Sequence, residues 1–115
     1  MAKLLTFVET EVFRKSLDRH TDLSTLFAIQ ADLIEDPERG DLVPGTGGLR
    51  KARAADRRSR KGKRGGFRFI YLYLKEPGIV YLLYLYPKSA KADLTSEDKH
   101  ALARLAAAIK DCYRS

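Results

Sequence analysis

Phe67-Arg-Phe-Ile-Tyr-Leu-Tyr-Leu74, followed after a short break by Ile79-Val-Tyr-Leu-Leu-Tyr-Leu-Tyr86, is the stretch whose reading decides the fold. Both runs are rich in aromatic and aliphatic side chains, which suit a pleated surface, so each predicts a strand. Glu76-Pro77-Gly78 between them predicts a hairpin turn. Apolar or aromatic residues occupy both faces of each run, placing the pair in the centre of a sheet and not at its edge.

Moving outward from this hairpin, Leu49 to Ala54 is short and compatible with a third strand. Residues 55–66 are nearly all Arg, Lys, Gly, Ser or Asp and read as a mobile basic loop. Pro44-Gly45-Thr46-Gly47-Gly48 reads as a flexible connection. Further back, a helix starts at Thr21 or Asp22, with Leu23, Leu26, Phe27, Leu33 and Ile34 expected on one buried face. Pro37 and Gly40 end it, since proline has no N–H to donate and glycine relaxes the turn. Leu4, Leu5, Phe7 and Val8 suit an opening strand, and Thr10 can cap a brief helix carrying Val12, Phe13 and Leu17. Beyond the hairpin, Thr95 is the expected N-cap of a last helix, with Asp98 reciprocating. Leu102, Leu105, Ile109 and Cys112 form its apolar stripe. The order β-α-α-β-β-β-α predicts one compact α+β domain over residues 1–115, with helices segregated from a mostly antiparallel sheet.

The chain has 115 residues, enough for a single domain, and is 44% hydrophobic. Its charge is the unusual property: 22 Lys and Arg against 15 Asp and Glu give +7, which calls for an anionic partner. No run approaches the ~18 apolar residues of a spanning helix, and the apolar run after Lys3 is too short for a secretory signal. A single cysteine, Cys112, excludes an internal disulfide and any cysteine metal cluster. The expected location is cytoplasmic.

The cations concentrate between Arg50 and Arg68: Arg50, Lys51, Arg53, Arg57, Arg58, Arg60, Lys61, Lys63, Arg64 and Arg68 stand against Asp56 alone. Charge runs usually form a solvated surface. Here the cations also enter the flanking strands. Alternation puts Lys51 and Arg53 on one side of theirs, and Arg68 lies one residue into an otherwise apolar strand. A charge there costs desolvation unless it faces a groove, a partner or a ligand. Cations fixed on strands beside a basic loop suit a polyanion, and suit stabilising charge on a transferring phosphoryl group.

Other chemistries are not supported. Gly62-Lys63 is followed by Arg64, where a phosphate loop needs Ser or Thr. Gly45-Thr46-Gly47-Gly48-Leu49-Arg50 lacks the last glycine of a dinucleotide fingerprint. His20 and His100 have no motif around them, Cys112 is expected in the core, and no spacing suggests a metal site or a cofactor. Among the tyrosines of the hairpin, Tyr86 is the candidate for stacking on a base, because it ends its strand beside Pro87-Lys88.

Three segments in this order carry a family resemblance: Gly45-Thr-Gly-Gly-Leu-Arg-Lys-Ala-Arg53, Gly62-Lys-Arg-Gly-Gly-Phe-Arg-Phe-Ile-Tyr71 and Tyr81-Leu-Leu-Tyr-Leu-Tyr-Pro-Lys88. With the closing Ala92-Asp-Leu-Thr95, they resemble the HigB branch of the RelE superfamily of toxins. The resemblance implies helices packed on a curved antiparallel sheet. It implies a ribosome-dependent mRNA endonuclease, held in check by a cognate antitoxin, for which a helix-turn-helix protein is expected. Cleavage by such enzymes uses the message's own 2′-hydroxyl as nucleophile, with no metal or cofactor. By the same resemblance, Lys51 and Arg53 match the basic pair on the second family strand, Arg68 would hold the scissile phosphate, and Lys88 would protonate the leaving group. Lys88 stands where many relatives have arginine, so the charge is kept without the planar fork. Asp93, Leu94 and Thr95 occupy the region where some relatives carry a base-stacking tyrosine. The competing reading from charge alone is a non-catalytic module that binds RNA or the ribosome.

Overall fold

In the computed structural model, which describes residues 4–55, 66–89 and 94–114, the elements run β1 (Thr6–Glu9), α1 (Glu11–His20), α2 (Leu23–Glu35), β2 (Asp41–Leu42), β3 (Leu49–Ala54), β4 (Phe67–Leu74), β5 (Ile79–Pro87) and α3 (Ser96–Arg114). The sheet order is β1-β5-β4-β3-β2, so the hairpin strands β4 and β5 are interior, as their two apolar faces require. Among the described residues only β1 runs parallel to its neighbour; the other pairings are antiparallel. The turn between β4 and β5 closes through the Gly78 N–H to the Leu74 carbonyl at 3.0 Å, with Gly78 at a φ of 69°, open to glycine at little cost.

Two layers cover the sheet. On one face Phe13, Leu17, Leu26, Ile29 and Leu33 from α1 and α2 pack with Phe69, Tyr71, Val80, Leu82 and Leu85. On the other, Leu102, Ala106 and Ile109 from α3 pack with Leu49, Ile70, Leu72 and Leu83. An irregularity lets β5 serve both layers. Ile70 pairs with Tyr84 while Tyr71 pairs with Leu82, leaving Leu83 as the extra residue of a bulge. Strict alternation would separate Leu82 from Leu85; the bulge returns them to one face.

The helix starts are fixed by side chains the sequence displays. The Thr10 oxygen accepts from the Phe13 N–H and donates to the Leu82 carbonyl at 2.9 Å, capping α1 and tying it to β5. Thr95 and Asp98 form the reciprocal pair expected ahead of α3, both bonds 3.0 Å.

Three details differ from the sequence-based expectation. The two-residue strand β2 extends the sheet beyond β3. In α2 the buried stripe is Leu26, Ile29 and Leu33, whereas Leu23, Phe27 and Ile34 are exposed. At about 100° per residue these fall on different sides of the helix, so the apolar band is wider than the surface it packs on. Cys112 is exposed, not in the core. The stripe Leu102, Ala106, Ile109 continues to Tyr113, whose hydroxyl meets that of Tyr81 at 2.8 Å, and leaves Cys112 outside.

Candidate nucleic-acid interface

Alternation along β3 builds the site. Ala52 and Ala54 join Phe67 and Phe69 in the α1–α2 layer, so Lys51 and Arg53 point to the opposite face. On β4 the neighbouring position on that face is Arg68, directly opposite Arg53, while Lys51 pairs with Ile70. The covering of α3 lies over Leu49, Ile70 and Leu72, toward the other end of these strands. The result is a groove of about 400 Å³ lined by Arg39, Asp41, Lys51, Ala52, Arg53 and Arg68. Like charges directly opposite on paired strands oppose folding, and the Arg68 Nε is buried without a hydrogen-bond partner among the described residues. Both features concentrate positive charge in this groove.

A second groove of about 370 Å³ adjoins the first, sharing Arg39 and Arg53 and adding Asp32, Phe67 and Lys88. Lys88 is placed there by its backbone N–H, which donates to the Gly66 carbonyl at 2.9 Å just past the end of β5. Of the four residues expected to act in catalysis, Lys51, Arg53 and Arg68 therefore share one groove, and Lys88 meets Arg53 in its neighbour.

Two residues expected to contact RNA make contacts within the protein. Arg50 points to the α1–α2 side, where its guanidinium donates to the carbonyls of Gly40 at 2.7 Å and Glu38 at 3.0 Å and pairs with the Glu38 carboxylate at 3.4 Å. Alternation separates it from Lys51 and makes it a tether for the turn after α2. Tyr86, opposite Arg68 on β4, is 7% exposed, with its ring stacked on Tyr84 at 5.8 Å. Arg57, Arg58, Arg60, Lys61, Lys63 and Arg64 lie outside the described residues.

The structure adds Arg39, which lines both grooves and pairs with Asp32 at 3.2 Å. In the sequence, Pro37 and Gly40 mark only the end of a helix; that the turn brings its arginine back beside Arg53 is a tertiary fact. Tyr71 makes the turn rigid. Its hydroxyl donates to the Pro37 carbonyl and accepts from the Gly40 N–H, both at 2.9 Å. Burial pushes the Tyr71 phenol above its ordinary pKa, partly offset by the Gly40 N–H and Arg50. Among the described residues no group of His, Cys, Asp and Glu is arranged to hold a metal ion, and no helix is long and apolar enough to cross a membrane.

The fold and the sequence both match known toxins. The structure is similar to that of a double arginine-to-alanine mutant of the E. coli toxin RelE in the free state, with a TM-score of 0.58 and 18% sequence identity, covering 92% of this chain and 98% of that one. The family model described as the RelE toxin of the RelE / RelB toxin-antitoxin system matches residues 11–115, which takes in every strand and helix after β1 and both grooves. The chain belongs to the RelE toxin family.

Proposed function

We propose that this toxin is a ribosome-dependent endoribonuclease that cuts mRNA in the decoding site by metal-independent attack of a 2′-hydroxyl on the adjacent phosphate. The observation that carries the proposal is the single groove holding Lys51, Arg53 and Arg68 on strands of the central sheet. Rigid strands hold charges in place before the reaction, so stabilising a developing phosphoryl charge requires no reorganisation. In the proposed reaction Lys51 assists deprotonation of the 2′-oxygen, which bonds to phosphorus. The bond to the 5′-oxygen breaks, and Lys88 supplies the proton to that leaving oxygen. Arg68 and Arg53 hold the scissile phosphate, as planar guanidinium groups suit. The cations of the segment Arg57 to Arg64 are assigned to ribosomal RNA.

A cognate antitoxin, proposed to be a helix-turn-helix protein, would restrain the toxin by covering the same cations, and the site of action would be the cytoplasm, where the ribosomes are. The test is a reconstituted translation reaction with primer extension on the message. Wild type is expected to give discrete cuts and Arg68→Ala none. Intact message with both proteins would leave RNA or ribosome binding without cutting as the function of the same surface.

A further inference from the structure

We propose that Arg39, beside Arg53 and Lys88, makes a second phosphate subsite, which takes a backbone phosphate next to the scissile one held by Arg53 and Arg68. Its link to the RNA-cutting reading is only the choice of strand; the subsite itself is a statement about binding. The two grooves share Arg53 and Arg39, so they adjoin at these two side chains. Three cations face one carboxylate in the second groove, that of Asp32, which engages Arg39 at 3.2 Å. A guanidinium has five N–H donors, so one such pairing orients Arg39 and leaves donors for an incoming oxygen.

The turn that carries Arg39 is held on both sides of it. Tyr71 bonds Pro37 and Gly40, and Arg50 bonds Glu38 and Gly40. Gly40 fits there because a Cβ would meet the Tyr71 ring at 2.8 Å and the Lys51 carbonyl at 3.0 Å. A side chain presented from so constrained a turn loses little freedom on binding, which favours a specific contact over a loose counter-ion role. Arg39 thus supplies a fixed wall to a groove whose other cations come from strands.

Fluorescence-anisotropy titration of a labelled oligothymidylate, which has no 2′-hydroxyl and cannot be cut, tests the subsite on the purified protein. Affinity is measured over a series of salt concentrations for wild type, Arg39→Ala, Arg39→Lys and, as a control, Lys75→Ala in the exposed β4–β5 turn. Arg39→Ala is expected to reduce the slope of log K against log salt by about 0.7, the increment for one contact to a single strand. Arg39→Lys is expected to keep the slope and bind more weakly, having charge without the fork. Melting curves identify any variant that fails to fold, and Arg39→Lys against Lys75→Ala then decides the matter by affinity alone. Equal slopes and affinities for the Arg39 variants and the Lys75 control would overturn the subsite. A polyglutamate peptide showing the same dependence on Arg39 would overturn it too, assigning the groove to an acidic protein segment. Cleavage of ribosome-bound mRNA is scored separately. Cutting with an unchanged slope defeats the subsite alone, and the expected slope without cutting defeats the nuclease reading alone.

Discussion

Arg50 and Tyr71 stand directly opposite each other on β3 and β4, and their side chains grip the same turn, residues 37–40. The pair faces the α1–α2 layer, yet it governs the other side of the sheet's edge, because Arg39 is carried between its anchor points. One residue along β3, Lys51 faces the groove. Adjacent positions on one strand therefore differ: the first holds a turn and the second lines the groove.

Tyr71→Phe is expected to destabilise the fold by about 1–3 kcal/mol, because it leaves the Pro37 carbonyl and the Gly40 N–H without the hydroxyl that joins them. Urea unfolding gives the value. Since Phe retains the ring, the packing against Phe69 survives, and Arg39-dependent oligonucleotide affinity should fall with the turn's rigidity. An unchanged unfolding midpoint would show that water replaces the hydroxyl without loss.

The same hydroxyl gives the alkaline response a definite sign. Burial raises the Tyr71 pKa above its ordinary value of 10.0, so the folded protein keeps the proton at a pH where the unfolded chain has begun to lose it. Its contribution is fully present below the unfolded pKa and is lost as pH rises through the folded one. The stability gap between wild type and Tyr71→Phe is expected to be constant at neutral pH and to shrink above about pH 10. Urea midpoints at a series of alkaline pH values measure it; a gap that widens would reverse the assignment.

The sequence makes the hairpin, the capping pair of Thr95 and Asp98, and the strand placement of Lys51, Arg53 and Arg68 legible, because each depends on neighbours within a few residues. Alternation alone puts Lys51 and Arg53 on one face. It puts Arg50 on the other, but treating Arg50 as part of a charge run hides that consequence. Arg39 is not legible at all: that the turn after α2 brings it to the same two grooves as Arg53 is a tertiary fact that no local pattern encodes. Tyr86 reads as a strand-end aromatic; the bulge at Leu83, which no local pattern encodes, shifts it onto the α3 face opposite Arg68, where it is 7% exposed.

Gly40→Ala tests the close approach of turn and sheet. A Cβ would lie 2.8 Å from the Tyr71 ring, 2.9 Å from its hydroxyl and 3.0 Å from the Lys51 carbonyl, and the last of these is backbone. Relief requires moving the turn, so the substitution is expected to cost about 1–3 kcal/mol and to displace Arg39. Thermal melting reads the first effect and oligonucleotide affinity the second. A fully stable Gly40→Ala would mean that the turn is free to retreat from Tyr71.

Arg53 opposite Arg68 sets stability against the proposed function. The two cations occupy facing positions on paired strands, an arrangement that costs a few tenths to about 1 kcal/mol, and the Arg68 Nε is buried without a hydrogen-bond partner among the described residues. Arg68→Met keeps an unbranched stem for packing while removing both penalties, so it is expected to raise the unfolding free energy by about 0.5–1 kcal/mol. If Arg68 holds the scissile phosphate, the same change lowers mRNA cleavage by about 100-fold or more. Chemical denaturation and single-turnover cleavage on programmed ribosomes measure the two quantities in one preparation. A variant that is both less stable and still active would make Arg68 a structural residue and move the phosphate contact to its neighbours Lys51 and Arg53.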